Sequence, residues 1–118
     1  MTWNVDLTLV EPWLDQLDDD SYTQVVAAVE LLSEYGPHLG RPLVDSLRGS
    51  RHRVMKELRP GSAGRSEVRM IFAFDQKRTA DLLVAGDKSR EWIRWYHRSI
   101  PVADDLFDQH RQTQGDAT

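Results

Sequence analysis

The residues of this chain best suited to chemistry are basic side chains concentrated in its middle. Residues 41–98 contain fourteen Lys and Arg residues and seven Asp and Glu residues, whereas residues 1–40 contain eight acidic residues and no Lys or Arg. The formal net charge of −4 therefore conceals a strongly basic segment. Because Lys and Arg bind phosphate through charge-assisted hydrogen bonds, this segment predicts a site for a polyanion.

Three of these cations fall on predicted strands. Lys56, Arg59 and Arg69 lie on two strands that we expect to pair, and paired strands are only about 4.8 Å apart, so their side chains can converge on one phosphate. Charged residues in strands contribute little to stability, which favours a functional role over a merely solvated outer face of the sheet. Further cations that could contact the polyanion are Arg53, Arg65, Lys88 and Arg90.

An aromatic segment near the C-terminus supplies candidates for proton transfer. Trp92, Trp95 and Tyr96 have the spacing of a helix face that packs on a core. Either Tyr96 or His97 could instead face the basic strip as a proton donor or as a platform on which a base stacks. His52 is a weaker candidate, since a lone histidine at the end of a strand is usually a surface residue. The sequence shows no pair of residues at metal-ligand spacing and no serine nucleophile motif.

The N-terminal third predicts one strand and a helical hairpin. Apolar and polar residues alternate over residues 3–9, as in a half-buried strand. Glu11 and Pro12 open a short helix. Acidic and hydroxyl residues at 18–21 cap a second helix, which ends at Gly36.

The remainder predicts a meander of three antiparallel strands and two C-terminal helices. Residues 38–50 are expected to form a loop and residues 60–64 a hairpin turn. The result is a single α+β domain over residues 1–111, with helices on one face of an antiparallel sheet and a frayed polar tail at 112–118. The predicted strands and helices of this half are 53–59, 66–75 and 79–85, and 91–98 and 101–111.

The amino-acid composition limits the cell compartment and the partners that we expect for this protein. The chain has no cysteine, as is usual in a reducing interior. Its N-terminus lacks the features of a signal peptide, and no apolar run approaches the roughly 20 residues that span a bilayer. We therefore expect a cytoplasmic protein that has no membrane partner.

Four segments occur in an order that resembles a known family. They are residues 41–47 (RPLVDSL), 55–59 (MKELR), 68–74 (VRMIFAF) and 83–88 (LVAGDK). Together they resemble HigB-like toxins, the phage-derived HigB-like branch of the RelE/ParE superfamily of toxin–antitoxin systems. The resemblance covers roughly residues 3 to 110 and includes the order of the predicted elements.

The resemblance implies an activity and two partners. Toxins of this family typically act as mRNA interferases, which are ribosome-dependent endoribonucleases that cut mRNA in the ribosomal A site. The ribose 2′-hydroxyl is the nucleophile, and the reaction uses neither a metal nor a cofactor. The cognate antitoxin would be a helix-turn-helix protein similar to HigA, and the complex would repress its own operon.

The resemblance also suggests roles for individual residues. Arg59 and Arg69 would clamp the scissile phosphate. Lys56 and Lys88 would add positive charge or transfer protons. Arg53, Arg65 and Arg90 are left as candidates for RNA binding. The residues that could match the family's C-terminal aromatic or histidine are Tyr96 and His97.

Two other functions remain open from the sequence, and two features depart from the family. The protein could inhibit DNA gyrase, as ParE-like toxins of the same fold do, or it could be a non-catalytic module whose basic strip docks an antitoxin. Such toxins are usually basic overall, whereas this chain is acidic. Glu57 and Glu67 also lie within the meander, where strand alternation is expected to direct them to partners other than the arginines.

Overall fold

The structure is a computed structural model that describes residues 2–61 and 67–114. Within these ranges the chain forms five strands, three α-helices and a short 3-10 helix at Gly36–His38. In chain order the strands and α-helices are β1 (Asn4–Asp6), α1 (Glu11–Leu14), α2 (Asp19–Tyr35), β2 (Val44–Ser46), β3 (Lys56–Leu58), β4 (Val68–Phe74), β5 (Thr79–Asp87) and α3 (Trp92–Thr113). Arg65 and most of the predicted hairpin turn lie outside the described residues.

The five strands form one mixed sheet in the order β1–β5–β4–β3–β2. Strands β2 to β5 pair in antiparallel fashion, as the predicted meander requires, and β1 adds to β5 in parallel. The longest pairing joins β4 to β5, from Val68 opposite Asp87 to Phe74 opposite Ala80, with a bulge at Ile71 and Phe72. These two central strands provide the rigid surface on which the site is built.

Helices cover both faces of the sheet, so the expectation that they lie on one face is wrong. Met70 and Phe72 of β4 pack with Leu32 of α2 in one core cluster. Ile71 of β4 packs with Phe107 of α3 in a second cluster. Both alternating sets of β4 side chains are largely apolar, and a strand of this kind must be covered on both sides. The α+β class and the predicted order of elements are confirmed.

Helix α2 begins and ends as its sequence predicts. The carboxylate of Asp18 accepts a hydrogen bond from the backbone N–H of Ser21 at 2.7 Å, which caps the N-terminus. Gly36 ends the helix with φ +54°, and a Cβ there would lie 2.4 Å from the indole of Trp3. The glycine therefore allows the helix to end directly against the residue that precedes β1.

The short strands differ from their predicted bounds. Strand β1 covers only Asn4–Asp6, and the predicted strand 53–59 is reduced to Lys56–Leu58. The predicted loop 38–50 contains β2, which pairs with β3 through Val44 opposite Leu58. A strand of three residues is too short to show an alternating pattern, and β2 forms only because it pairs with residues ten to fourteen positions further along the chain.

The two predicted C-terminal helices are one continuous helix, α3, with Pro101 in its interior. The side chain of Pro101 is exposed, while Trp95, Ala103 and Phe107 are buried on the face that meets the sheet. Packing on both sides of the proline offsets the lost backbone hydrogen bond and keeps the helix intact. Among the described helices, none is both long and apolar enough to cross a membrane.

Candidate active site

A buried carboxylate lies at the centre of the candidate site. Glu57 of β3 is only 3% exposed and accepts hydrogen bonds on both of its oxygens. The hydroxyl of Tyr96 donates to its Oε2 at 2.7 Å, and Arg59 donates to its Oε1 through Nε at 2.8 Å. Arg59 Nη2 lies 2.7 Å from the same oxygen and 3.4 Å from Oδ2 of Asp45 on β2. Glu57 thereby holds a cation and a hydroxyl side by side, so its expected separation from the arginines is wrong.

Arg69 of β4 lies on the same face of the sheet, two residues before Ile71, which pairs with Glu57. Its Nη1 donates to the carbonyl oxygen of Val68 at 2.8 Å. Its Nε is buried and has no hydrogen-bond partner among the residues that the structure describes. A buried donor without an acceptor is unfavourable, and a bound anion would remove that cost.

Lys88 follows β5 directly and completes the group of cations. Its Nζ lies 5.6 Å from the ring centroid of Tyr96 and 5.2 Å from that of Trp92, within the range of cation–π attraction. Burial lowers the pKa of Lys88, and the nearby positive charge of Arg69 lowers it further. Arg69 pairs across the sheet with Gly86, two residues before Lys88, so the two cations lie in the same region.

The environment of Tyr96 determines its protonation state. Burial raises the pKa of its hydroxyl above the ordinary value, and the hydrogen bond and negative charge of Glu57 raise it further. The positive charges of Arg69 and Arg59 act in the opposite direction but are the smaller contributions. Tyr96 therefore stays protonated well above neutral pH, and its hydroxyl proton is held in the hydrogen bond to Glu57.

Glycine at one position of β5 allows the helix that carries Tyr96 to approach the sheet. A Cβ at Gly86 would lie 2.1 Å from Nε1 of Trp95, the residue before Tyr96. Gly86 pairs with Arg69 across the sheet. The first turns of α3 therefore lie close to β4 and β5 because residue 86 has no side chain.

The other predicted site residues lie outside this group. Lys56 shares the sheet face of Leu58, opposite that of Glu57. Arg53 is exposed in the turn before β3, and Arg90 is exposed after β5. His97 is exposed on α3, next to Tyr96. Arg65 is not among the described residues.

A cavity of about 600 Å³ adjoins the group, between α3 and the loop at 48–51. The ring of Trp92 and the side chain of Ile93 are 57% and 61% exposed beside it. The volume is sufficient for a small-molecule-sized group such as a nucleobase. No local sequence pattern indicates this cavity, because its walls come from two segments about fifty residues apart. The wall residues that bear on function are Arg48, Arg51, Trp92, Tyr96 and His97.

Several cations of the basic segment are used in ion pairs elsewhere. Arg51 contacts Asp105 at 3.3 Å and also pairs with Asp108. Nε2 of His52 lies 2.8 Å from Oδ1 of Asp108, so this histidine helps to hold the loop against α3. The basic composition of the segment therefore overstates the charge that is available to a ligand.

The mixed five-stranded sheet, the helices and their order define an α+β domain of the RelE-like toxin fold. Residues 12–108 match the family described as "Phage derived protein Gp49-like". The chain belongs to this family, as the sequence resemblance implied.

Two relatives from Mycobacterium tuberculosis (strain ATCC 25618 / H37Rv) are similar over most of this chain. One, named "Putative toxin HigB2", is 54% identical over 108 residues, which cover 92% of this chain and 54% of the relative. The other, named "Putative toxin HigB3", is 49% identical over 98 residues, which cover 83% of each chain. The chain thus spans about half the length of the first relative and most of the second.

Proposed function

We propose that this protein is the toxin of a type II toxin–antitoxin system and cleaves mRNA in the ribosomal A site as a metal-independent endoribonuclease. The names of its relatives support the toxin assignment. The observation that carries the nuclease assignment is the convergence of three cations, Arg59, Arg69 and Lys88, around the protonated hydroxyl of Tyr96. Lys56, on the other face of the sheet, is left out of the proposed site.

The proposed reaction is an in-line attack of the ribose 2′-oxygen on the adjacent phosphorus. The bond from the 2′-oxygen to phosphorus forms as the bond to the 5′-oxygen breaks, which leaves a 2′,3′-cyclic phosphate and a 5′-hydroxyl. Tyr96 donates a proton to the departing 5′-oxygen, and solvent water accepts the proton of the 2′-hydroxyl. A proton from water then restores the Tyr96 hydroxyl.

The cations contribute by stabilising the transition state. The phosphorane carries more negative charge than the phosphodiester, so fixed positive charges stabilise it more than they stabilise the substrate. Arg59 and Arg69 are held by hydrogen bonds before substrate arrives and need little rearrangement. Trp92 and His97 at the adjoining cavity offer surfaces on which a neighbouring base could stack.

The test is cleavage of mRNA in a translating extract. We expect the wild-type protein to produce fragments with 5′-hydroxyl ends and Arg69→Ala to be slower by about 100-fold, a typical loss for one transition-state donor. Lys77→Ala is the matched control, because it removes a positive charge from an exposed turn at the other end of β4. If the folded wild-type protein leaves ribosome-bound mRNA intact, the nuclease assignment is wrong.

The same experiment distinguishes the alternative functions. A gyrase inhibitor would block DNA supercoiling and leave mRNA uncut. A non-catalytic module would bind its antitoxin without either effect. The proposed partner is a helix-turn-helix antitoxin similar to HigA, and adding it in equimolar amount should stop cleavage.

A further inference from the structure

A second cluster of polar residues lies at the opposite end of β4 from Arg69. Asp75 follows β4, Asp81 lies in β5, and His110 lies near the end of α3. Nε2 of His110 is 2.9 Å from Oδ2 of Asp75 and 3.0 Å from Oδ2 of Asp81. The exposed fractions of the two carboxylate side chains are only 1% and 6%. Three elements thus bring two acids and an imidazole to one buried point.

The two carboxylates differ in the number of their hydrogen-bond partners. Asp75 accepts hydrogen bonds from the backbone N–H groups of Lys77 and Thr79 and from Nε2 of Gln114. Both oxygens of Asp81 are buried, and Oδ2 lies 3.0 Å from Nε2 of His110. Asp81 thus has fewer hydrogen-bond partners than Asp75, and a bound cation would supply the positive charge that a buried carboxylate requires.

We propose that Asp75, Asp81 and His110 bind one divalent transition-metal ion, with Zn²⁺ as the probe. Zinc bonds of about 2.1 Å at the tetrahedral angle place two ligand atoms about 3.4 Å apart, so the histidine nitrogen, now 2.9 and 3.0 Å from the two carboxylate oxygens, would move by only about 0.5 Å to admit the ion. All three ligand atoms lie within 4.8 Å of one another. Two carboxylates with an imidazole suit zinc or a neighbouring transition metal better than the all-oxygen sites of Ca²⁺ and Mg²⁺.

The surroundings fit a site of this kind. Gln114 and the backbone of Thr79 hold the Asp75 carboxylate in place, as second-layer hydrogen bonds do for metal ligands. His110 is 27% exposed, which provides a route for the ion and room for a water ligand. The ion would join the end of α3 to the β4–β5 hairpin. Arg69 is six residues from Asp75 along the chain, roughly 20 Å in an extended strand, so the proposed RNA cleavage does not use the ion.

The experiment measures zinc binding and its effect on thermal stability. The full chain is stripped with a chelator, titrated with Zn²⁺ by calorimetry at pH 7.5, and melted with and without the ion. We expect one ion per chain, a micromolar or lower Kd, and a rise in Tm of about 5–10 °C at saturating zinc. His110→Ala and Asp81→Asn should each weaken binding by more than tenfold and remove the rise.

Two variants keep the test decisive. Asp81→Asn keeps the shape of the side chain, and its melting temperature without metal is compared with that of the stripped wild type, so that a loss of zinc binding is distinguished from unfolding. His52→Ala is the matched control, because it removes a histidine that also contacts an α3 carboxylate but lies outside the cluster. Absence of one-to-one binding, unchanged affinity in His110→Ala, or lost affinity in His52→Ala would overturn the proposal.

Discussion

Replacing Glu57 by glutamine tests whether the buried carboxylate organises the site. The substitution keeps the size of the side chain and an oxygen that can accept from Tyr96, but it removes the negative charge that faces Arg59. The amide also places N–H donors where the guanidinium already donates. Arg59 would lose its closest partner and turn toward Asp45 or solvent, and Tyr96 would lose a charged acceptor.

The expected cost follows from the burial of the groups. Removing one partner of a fully buried ion pair costs about 3–5 kcal/mol. Glu57 is almost fully buried, but the side chain of Arg59 is 37% exposed and can be partly hydrated again, so the ion-pair contribution is reduced to about 1–2 kcal/mol. Exchanging a charged for a neutral acceptor at Tyr96 adds about 1 kcal/mol. We expect Glu57→Gln to lower the free energy of unfolding by about 2–3 kcal/mol.

Urea denaturation measures this change through the midpoint at a constant slope. Asp45→Asn is the matched control, since it removes a more exposed carboxylate that also faces Arg59, and it should leave the midpoint close to that of the wild type. A double-mutant cycle with Tyr96→Phe isolates the hydrogen bond between the two side chains. A midpoint for Glu57→Gln equal to that of Asp45→Asn would show that Glu57 does not hold the site together.

Four further changes have outcomes that the structure determines. Gly86→Ala should lower the free energy of unfolding by about 1–3 kcal/mol, because the new Cβ would meet the indole of Trp95. Gly40→Ala is the control, since a Cβ at residue 40 has open space around it and should leave stability unchanged. The urea midpoints of the two variants measure the difference. Pro101→Ala should raise the free energy of unfolding by about 1–2 kcal/mol, measured in the same way, because it restores a backbone donor inside α3. The pKa of Tyr96 is raised in the folded protein above 10, the ordinary pKa of tyrosine, so above pH 10 this hydroxyl ionises in the unfolded chain before it ionises in the folded one. The free energy of unfolding that Tyr96 contributes below pH 10 is therefore lost as the pH rises. Urea midpoints should fall more steeply with pH in the wild type than in Tyr96→Phe. Trp92→Ala should weaken binding of single-stranded RNA by about 5- to 50-fold in a fluorescence titration, the value of one stacked base, while Val102→Ala, an equally accessible apolar residue of α3, should not.

The sequence predicts those parts of the fold whose signals are local. The cap at Asp18 and the terminating Gly36 lie at the ends of α2 itself, so the helix bounds follow from neighbouring residues. Strand β2 depends on pairing with β3, and the continuity of α3 through Pro101 depends on packing against the sheet. These features are decided by contacts between distant segments, which a local pattern does not show.

The residues of the candidate site also divide into those that local sequence signals indicate and those that depend on contacts between distant segments. Arg59 and Arg69 could be proposed because cations are unusual at strand positions, and Lys88 could be proposed from the family resemblance. The role of Glu57 could not be predicted, because its partner Tyr96 is 39 residues away in the sequence. An acidic residue between arginines is instead interpreted from the sequence as a departure from the family. The cluster of Asp75, Asp81 and His110 could not be predicted for the same reason, since Asp75 and His110 are 35 residues apart in the sequence.

The acidic residues of α2 do not weaken the cation cluster, because they lie on the opposite side of the sheet. Exposed acids of α2, such as Glu30 and Glu34, belong to a helix that packs on the Met70 face, while Arg69 points to the face that α3 covers. A helix layer and the sheet separate them by more than the Debye length of about 8 Å at physiological ionic strength. An RNA phosphate at Arg69 therefore interacts mainly with the local cations. It follows that neutralising Glu30 and Glu34 together should change the affinity for RNA far less than neutralising Lys88 alone, although it alters the net charge twice as much.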